Sequence, residues 1–538
     1  MSADVTGVGV LTASGSAARS RVATWLLVTL GVSSAIVLAT LLYRSSFRYP
    51  LNYNEGWNSY WAHNAARGEA IYPTADAMVF NNYPPLSFFL VAALSKLGID
   101  VWIAGRVAAW LSFAGCAVLI RATLREMGSS GLGANLGAAF FCALMAVDFN
   151  LYLGMYDPQL TAHCGMLAGL FLLVRGGAPS RRSVILAALV LVASGFIKHN
   201  LLALPAAITL WLVLCRRDLL VAWLVTAAAA LAIGFLLCWG IFGDAVFVGL
   251  ATPRVWSLHN VALKLSLWMS PLVAPTLIAL GALAFPGRDP FRVLLGLFAV
   301  TALLVACFVG AGDGVVYNAF FELIIAGSLA IGYVIGDVRG GGSAWQAAPT
   351  RDAEWPGAKW ADADWPSGKW PSGKWPGGKR HGGKWHGGKW HAPLAWIALA
   401  EVAIIAASTN VAATGAIVDW NDWVAGQYHR QEMSQRAVAL IAAQPGPALC
   451  EDPLLCYWAN KPFAVDIFNY QQSVASGQRD GQAVRAEIVQ GHFGAIQLNP
   501  VDNRLLPDLQ AAIRLHYDPV DGLPGLFRRR AANAGGLP

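Results

Sequence analysis

Glu55 stands just beyond the first long apolar run of the chain, in a loop of polar and aromatic residues. The loop reads Asn54-Glu55-Gly56-Trp57-Asn58-Ser59-Tyr60-Trp61-Ala62-His63, then Arg67-Gly68-Glu69, then Asn81-Asn82-Tyr83-Pro84-Pro85. A carboxylate at a membrane edge, screened from water by rings, has its charged form disfavoured and its basicity raised. Such a group suits general-base work. Further polar and ionisable residues gather at the ends of later apolar runs: Arg106, Asp157, Lys198 with His199 and Asn200, Arg254 with His259, and Asn318 with Glu322. Charges at membrane depth are costly and ask for a partner or a purpose. Lys198 has the charge to hold a lipid phosphate or else snorkels, Arg106 is either a substrate clamp or an interface anchor, and Arg254 is a further candidate contact. Asp157 precedes Pro158, so it either joins Glu55 in the chemistry or caps a helix start. His63, Tyr83, His199 and Asn318 complete the candidate substrate contacts. Glu322 lies within an apolar run and is expected to pair with Arg254 or Lys264.

The elements that position these residues follow from composition. Of 538 residues, 56% are hydrophobic and 13% charged, against about 25% charged in soluble proteins. Long apolar runs recur from residue 23 to 413, the pattern of a polytopic α-helical membrane protein. Spans are expected near 23–43, 102–124, 132–149, 158–174, 184–200, 201–214, 219–240, 266–285, 293–310, 317–336 and 393–413. Segment 86–98 is shorter than the ~20 residues a crossing needs. If it does not cross, Arg121, Arg125, Arg175, Arg181, Arg182, Arg216, Arg217, Arg288 and Arg292 all face the cytoplasm, as the positive-inside rule asks. Segments 58–67 and 86–98 are therefore expected as interfacial helices on the outer face. The N-terminus is then cytoplasmic and the C-terminal tail extracytoplasmic, in a multi-pass protein of the cell (inner) membrane. The first span is too long for a signal-peptide core and is expected to be retained. Arg44 and Arg48 break the charge rule; they either snorkel to outer headgroups or meet an anionic substrate.

The expected organisation is a cytoplasmic segment 1–22, a membrane core 23–336 with outer loop 44–101, a low-complexity loop 337–392, a last span 393–413 and a small α/β domain 414–538. Within 337–392, Trp recurs every five residues from Trp355 to Trp375 and again at Trp385 and Trp390, among Gly, Pro and Lys. That period fits neither helix nor strand, which predicts a disordered loop whose Lys and Trp can rest on anionic lipid. His381, His386 and His391 share the spacing. In the tail, helices are expected over 431–444, 482–490 and 506–515, and short strands over 447–450, 463–468 and 494–498. Its Asp and Glu residues are expected to form a solvated surface. Six of the eight cysteines fall in or beside apolar runs and read as packing. Cys450 and Cys456 lie in the tail, where a disulfide is open to them if it faces an oxidising space.

A formal charge of +7 with no basic recognition helix gives no case for nucleic acid. No phosphate-binding loop, dinucleotide fingerprint, zinc motif or serine elbow is present. The loop residues Glu55-Gly56-x(4)-Trp61-Ala62, Arg67-Gly68-x(3)-Tyr72 and Tyr83-Pro84-Pro85-Leu86, with Arg106, resemble the first extracytoplasmic loop of the GT-C superfamily of membrane glycosyltransferases. The protein O-mannosyltransferase and lipid A aminoarabinose transferase types are the most similar. The resemblance continues at Tyr156-Asp157-Pro158, at Ile197-Lys198-His199-Asn200-x(4)-Pro205, at Tyr317-Asn318-x(3)-Glu322, and in the tail at Gly446-Pro447 and Glu451-Asp452-Pro453. It implies a polyprenyl-phosphate sugar donor, an acceptor that is a glycan, lipid or protein, membrane lipids as partners, and inverting transfer on the outer face. It also implies Glu55 as general base. The family's acidic pair is Asn54-Glu55 here, which leaves a divalent metal without its second carboxylate. A transporter or flippase of a lipid-linked or anionic substrate, and a non-catalytic relative, are the competing readings.

Overall fold

The computed structural model describes residues 6–284, 289–336, 391–499 and 505–530. Helix α1 (Thr6–Arg44) leads into the first loop, which carries α2 (Tyr53–Arg67) and α3 (Leu86–Ser95). There follow α4 (Val101–Glu126), α5 (Gly131–Val147), α6 (Gln159–Val174), α7 (Arg181–Gly195), α8 (Ala203–Cys215) and α9 (Arg217–Phe242). Next come α10 (Ala245–Leu250), α11 (Leu258–Trp268), α12 (Val273–Ala284), α13 (Pro290–Gly310), α14 (Phe321–Gly336) and α15 (His391–Val418). A helix overlaps each expected span, and the chain is a polytopic α-helical membrane protein. Among the described residues six helices are long and apolar enough to cross alone, and the pair α11–α12, bent by 72°, is so only when taken as one. Helices α5 to α8 have 17, 16, 15 and 13 residues, below the ~20 of a full crossing. They are short because polar connections interrupt the apolar runs; the links after α5 and α7 carry Asp157 and Lys198. The Trp-Lys repeat lies outside the described residues.

Helix α14 is the centre of the bundle, with every residue buried. It meets α5 through facing glycines: Gly133 and Gly137 lie against Gly332 and Gly336, and a Cβ at Gly133 would collide with the backbone of Gly336. Small residues four apart let two backbones approach in a medium where apolar burial gives no net drive. Helix α9 is at the other extreme, mostly unburied and apolar, a surface for hydrocarbon.

The tail begins with α16 (Trp420–Ala443) and continues through β1 (Ala448–Cys450), α17 (Pro453–Trp458), α18 (Ile467–Ala475), α19 (Gln482–Val489), β2 (Ala495–Gln497), α20 (Pro507–His516), β3 (Tyr517–Pro519) and β4 (Leu526–Arg529). The sheet order is β1-β2-β4-β3, with β1 and β2 parallel and the remaining pairs antiparallel. A parallel pair needs a crossover, which α17 to α19 supply. The strand expected at 463–468 is not formed. Asp466 caps α18 instead, its carboxylate accepting the Asn469 N–H, and the helix starts inside the apolar run. The short α17 and the β3–β4 hairpin had no apolar run long enough to announce them.

Candidate active site

The loop residues are fixed by helix α2. Asn52 caps it by accepting the Asn54 N–H, which puts Glu55 in the first turn, facing inward. Its carboxylate is fully buried. Arg106 of α4 meets it in a two-point fork, Nε to Oε1 and Nη2 to Oε2, both at 2.8 Å. Oε2 also accepts the Leu51 N–H at 2.7 Å, and Oε1 the Tyr156 N–H at 3.2 Å. Arg106 spends its remaining N–H groups on the carbonyls of Ser45, Phe47 and Tyr49. A carboxylate has about four lone-pair directions, and here all are occupied. Glu55 and Arg106 are thus each other's principal partners. Together they pin the post-α1 loop, α2, α4 and the Tyr156 segment.

Asp157 is buried just behind Asn54. Its Oδ1 accepts Lys198 Nζ and the Gln159 N–H, each at 2.8 Å, and its Oδ2 accepts Asn54 Nδ2 at 3.1 Å. It thus accepts from the first residue of α6 and is the counter-ion of Lys198. The ammonium also donates to the Tyr83 hydroxyl at 3.0 Å and lies 4.3 Å from that ring's centre. Lys198 keeps one of its three donors.

These groups border a cavity of about 1050 Å³. From the core and loop it is lined by Asn54, Tyr83, Lys198, His199, Arg254 and Asn318, and from the tail by Glu451, Asp452, Phe468, Asn469 and Asn499. Arg254 donates one hydrogen bond, to the Asp313 carbonyl at 2.9 Å, and its guanidinium sits 5.5 Å from the Phe468 ring centre. Asn318 donates to Gln159. His63 lies outside this cavity, 3.4 Å from the Tyr457 hydroxyl. Glu322 does not pair with Arg254 or Lys264. It accepts the Ala203 and Leu204 N–H groups at 3.3 and 3.0 Å, since the open N-terminus of α8 offers the positive end of a helix dipole. Lys264 instead donates to the carbonyls of Gly310 and Gly312. Arg44 donates to the Asn150 and Leu153 carbonyls and does not line the cavity. Arg48 lies over the Trp458 ring.

Sequence reasoning named no residue of the tail as part of the site. Asp466 is fully buried and accepts from Tyr53 Oη, Trp57 Nε1 and Asn469, which locks α18 to α2. Burial pushes its carboxyl above the ordinary value. Gln472 bridges the Val255 N–H and the Asp313 carboxylate. Gly56 leaves no room for a Cβ against the backbone of Pro453 and Leu454, so α2 and the start of α17 touch directly. Asp452 reaches the cavity, and burial, reinforced by the charges of Glu55 and Glu451, pushes its carboxyl up to about 7. The tail's acids are therefore not all a solvated surface. The available signal was Glu451-Asp452 enclosed between two cysteines; Cys450 and Cys456 form a disulfide with Cα atoms 5.9 Å apart. Among the described residues no group of three or more His, Cys, Asp or Glu could hold a metal ion. The carboxylates nearest the loop are already compensated, Glu55 by Arg106 and Asp157 by Lys198, so these residues do not fit a resident divalent metal.

A bundle of this order, with a helical first loop and a small α/β tail beside a charged cavity, is a GT-C-like fold. Two solved structures of ArnT from Cupriavidus metallidurans share it. The one bound to undecaprenyl phosphate superposes with a TM-score of 0.57 at 15% identity, over 96% of this chain and 99% of that one. The apo form gives 0.54 at 15% identity, over 91% and 94%. At such identity the likeness is one of fold. No family model and no curated protein sequence matches the chain.

Proposed function

We propose that this protein is an integral-membrane glycosyltransferase. It moves a sugar from a polyprenyl-phosphate donor to an acceptor on the extracytoplasmic face, with inversion at the anomeric carbon. The observation that carries the reading is that Lys198 and Arg254 both line one cavity of about 1050 Å³. Both cations retain donors: Lys198 after bonding Asp157 and Tyr83, Arg254 after bonding Asp313. Charge-assisted donors held in place before the reaction stabilise a phosphate as it departs. Asp157 holds Lys198 in position, and Tyr83 and Trp57 wall the same side with rings. Undecaprenyl phosphate in the ArnT complex, the bearer of the same overall fold, supports a lipid-phosphate donor. Glu55 and Arg106 serve as the buttress that holds Asn54 at the cavity. The Cys450–Cys456 bridge supports an oxidising, extracytoplasmic side for the tail.

The test is transfer from radiolabelled undecaprenyl-phosphate hexoses and pentoses to membrane extract by purified protein in lipid, wild type beside Lys198→Met. The reading expects label in a new product with wild type and a loss of at least ~100-fold in the variant. Equal transfer by both removes Lys198 from the mechanism, and no transfer from any donor removes the glycosyltransferase reading.

A further inference from the structure

The two walls of the cavity differ in sign. The core wall carries Lys198 and Arg254, and the tail wall carries Glu451 and Asp452. Glu55 already accepts four hydrogen bonds, and Asp157 is the counter-ion of Lys198. Asp452 differs from both. Its Oδ1 accepts the Leu454 N–H at 3.3 Å as the cap of α17, and among the described residues its Oδ2 has no partner. It is held from three sides. Its own N–H donates to Gln497 Oε1 of β2 at 2.8 Å. The disulfide ties the two ends of its loop, Cys450 and Cys456. On the third side, Gly56 lets α2 press against Pro453 and Leu454. A carboxylate fixed so closely, with one oxygen left open to a substrate cavity, is placed to do chemistry.

Resting on the glycosyltransferase reading above, we infer that Asp452, supplied by the tail domain, is the general base, and that the acceptor is a neutral alcohol hydroxyl. In the step, the acceptor oxygen bonds to the anomeric carbon as the bond from that carbon to the phosphate oxygen breaks. The electron pair leaves with the polyprenyl phosphate toward Lys198 and Arg254, and the hydroxyl proton passes to Asp452 Oδ2. A phosphate acceptor would need no base and would meet two carboxylates on the tail wall; an alcohol needs the proton removed and meets no repulsion. The charged neighbours that act on Asp452 are Glu55 of α2 and the adjacent Glu451, both acidic. With burial they hold its carboxyl near 7, where a base both ionises and accepts a proton effectively.

Asp452→Asn separates the roles, because Asn caps a helix as Asp does but takes no proton. The experiment measures transfer by wild type and Asp452→Asn in lipid, from whichever undecaprenyl-phosphate sugar the wild type uses, over pH 5 to 9, beside donor KM and thermal unfolding. The inference expects kcat to fall by ~100-fold or more, donor KM to hold within about threefold, and the rising limb near pH 7 to vanish. A variant that keeps its kcat within about threefold overturns it, leaving Asp452 a helix cap only. If Asp452→Asn unfolds, the wild-type profile decides: a limb rising through about pH 7 supports the base, and a flat profile overturns it. Wild type that transfers from no donor overturns the glycosyltransferase reading and this inference with it.

Discussion

Removing Arg106 is expected to damage the fold more than removing its partner Glu55, and the structure gives the reason. The guanidinium is 3% exposed and makes five hydrogen bonds, two to Glu55 and three to the Ser45, Phe47 and Tyr49 carbonyls. Arg106→Ala leaves a fully buried carboxylate facing only two backbone N–H groups and strips three carbonyls of their donor. Breaking a buried pair from one side costs about 3–5 kcal/mol, and each deserted buried carbonyl adds roughly 1–3 kcal/mol unless water enters. Glu55→Gln keeps the shape and most acceptor positions, and it leaves Arg106 with three carbonyls. Its cost is the loss of the charge-assisted fork, about 1.5–3 kcal/mol. The order of stability is therefore wild type, then Glu55→Gln, then Arg106→Ala. The double variant should cost less than the sum of the two, because the pair is removed whole. The assay is thermal inactivation of detergent-solubilised protein followed by intrinsic fluorescence, with Arg67→Ala as the control for an exposed pair. Arg106→Ala unfolding no earlier than that control would refute the reasoning, and so would Glu55→Gln ranking below it.

Other substitutions probe the tail and the donor wall. Gly56→Ala drives a Cβ into the backbone of Pro453 and Leu454; limited proteolysis should then cut between core and tail while the membrane core persists. Asp466→Ala strands the Tyr53 hydroxyl and the Trp57 indole N–H and should loosen the same contact, read as faster hydrogen exchange in α2 and α18. Lys198→Met should raise donor KM and lower kcat together, while Arg67→Ala leaves both unchanged. Asp452 contributes a pH dependence of stability with a definite sign. Its carboxyl stands at about 7 in the fold against an ordinary 3.8, so the contribution is full below about pH 4 and is lost as pH rises through about 7. Asp452→Asn should flatten that slope in unfolding curves measured across the range.

Much of the bundle was legible in the sequence because apolar runs of membrane length have few alternative structures. A helix overlaps each expected span, and Tyr83, Lys198, His199, Arg254 and Asn318 line one cavity. The rest depended on contacts between distant segments. Nothing local to Glu55 states that Arg106, fifty-one positions away, fills its lone pairs. Glu322 finds the N-terminus of α8 rather than a cation, a partner made of backbone that no residue pattern displays. Asp466 and Asp452 look like surface acids in a hydrophilic tail until the tail closes on α2. The strand expected at 463–468 failed because a capping aspartate outweighed a short apolar run.

The account stands on covalent sugar transfer from a lipid-phosphate donor. The most direct measurement places purified protein in vesicles with a labelled undecaprenyl-phosphate sugar and a hydroxyl-bearing acceptor extract, and follows label in products and across the bilayer at once. The account predicts a new covalent product with inverted anomeric configuration, lost in Lys198→Met. Label that crosses the bilayer still attached to its lipid, with no product formed, would contradict it and mark the cavity as part of a transport path.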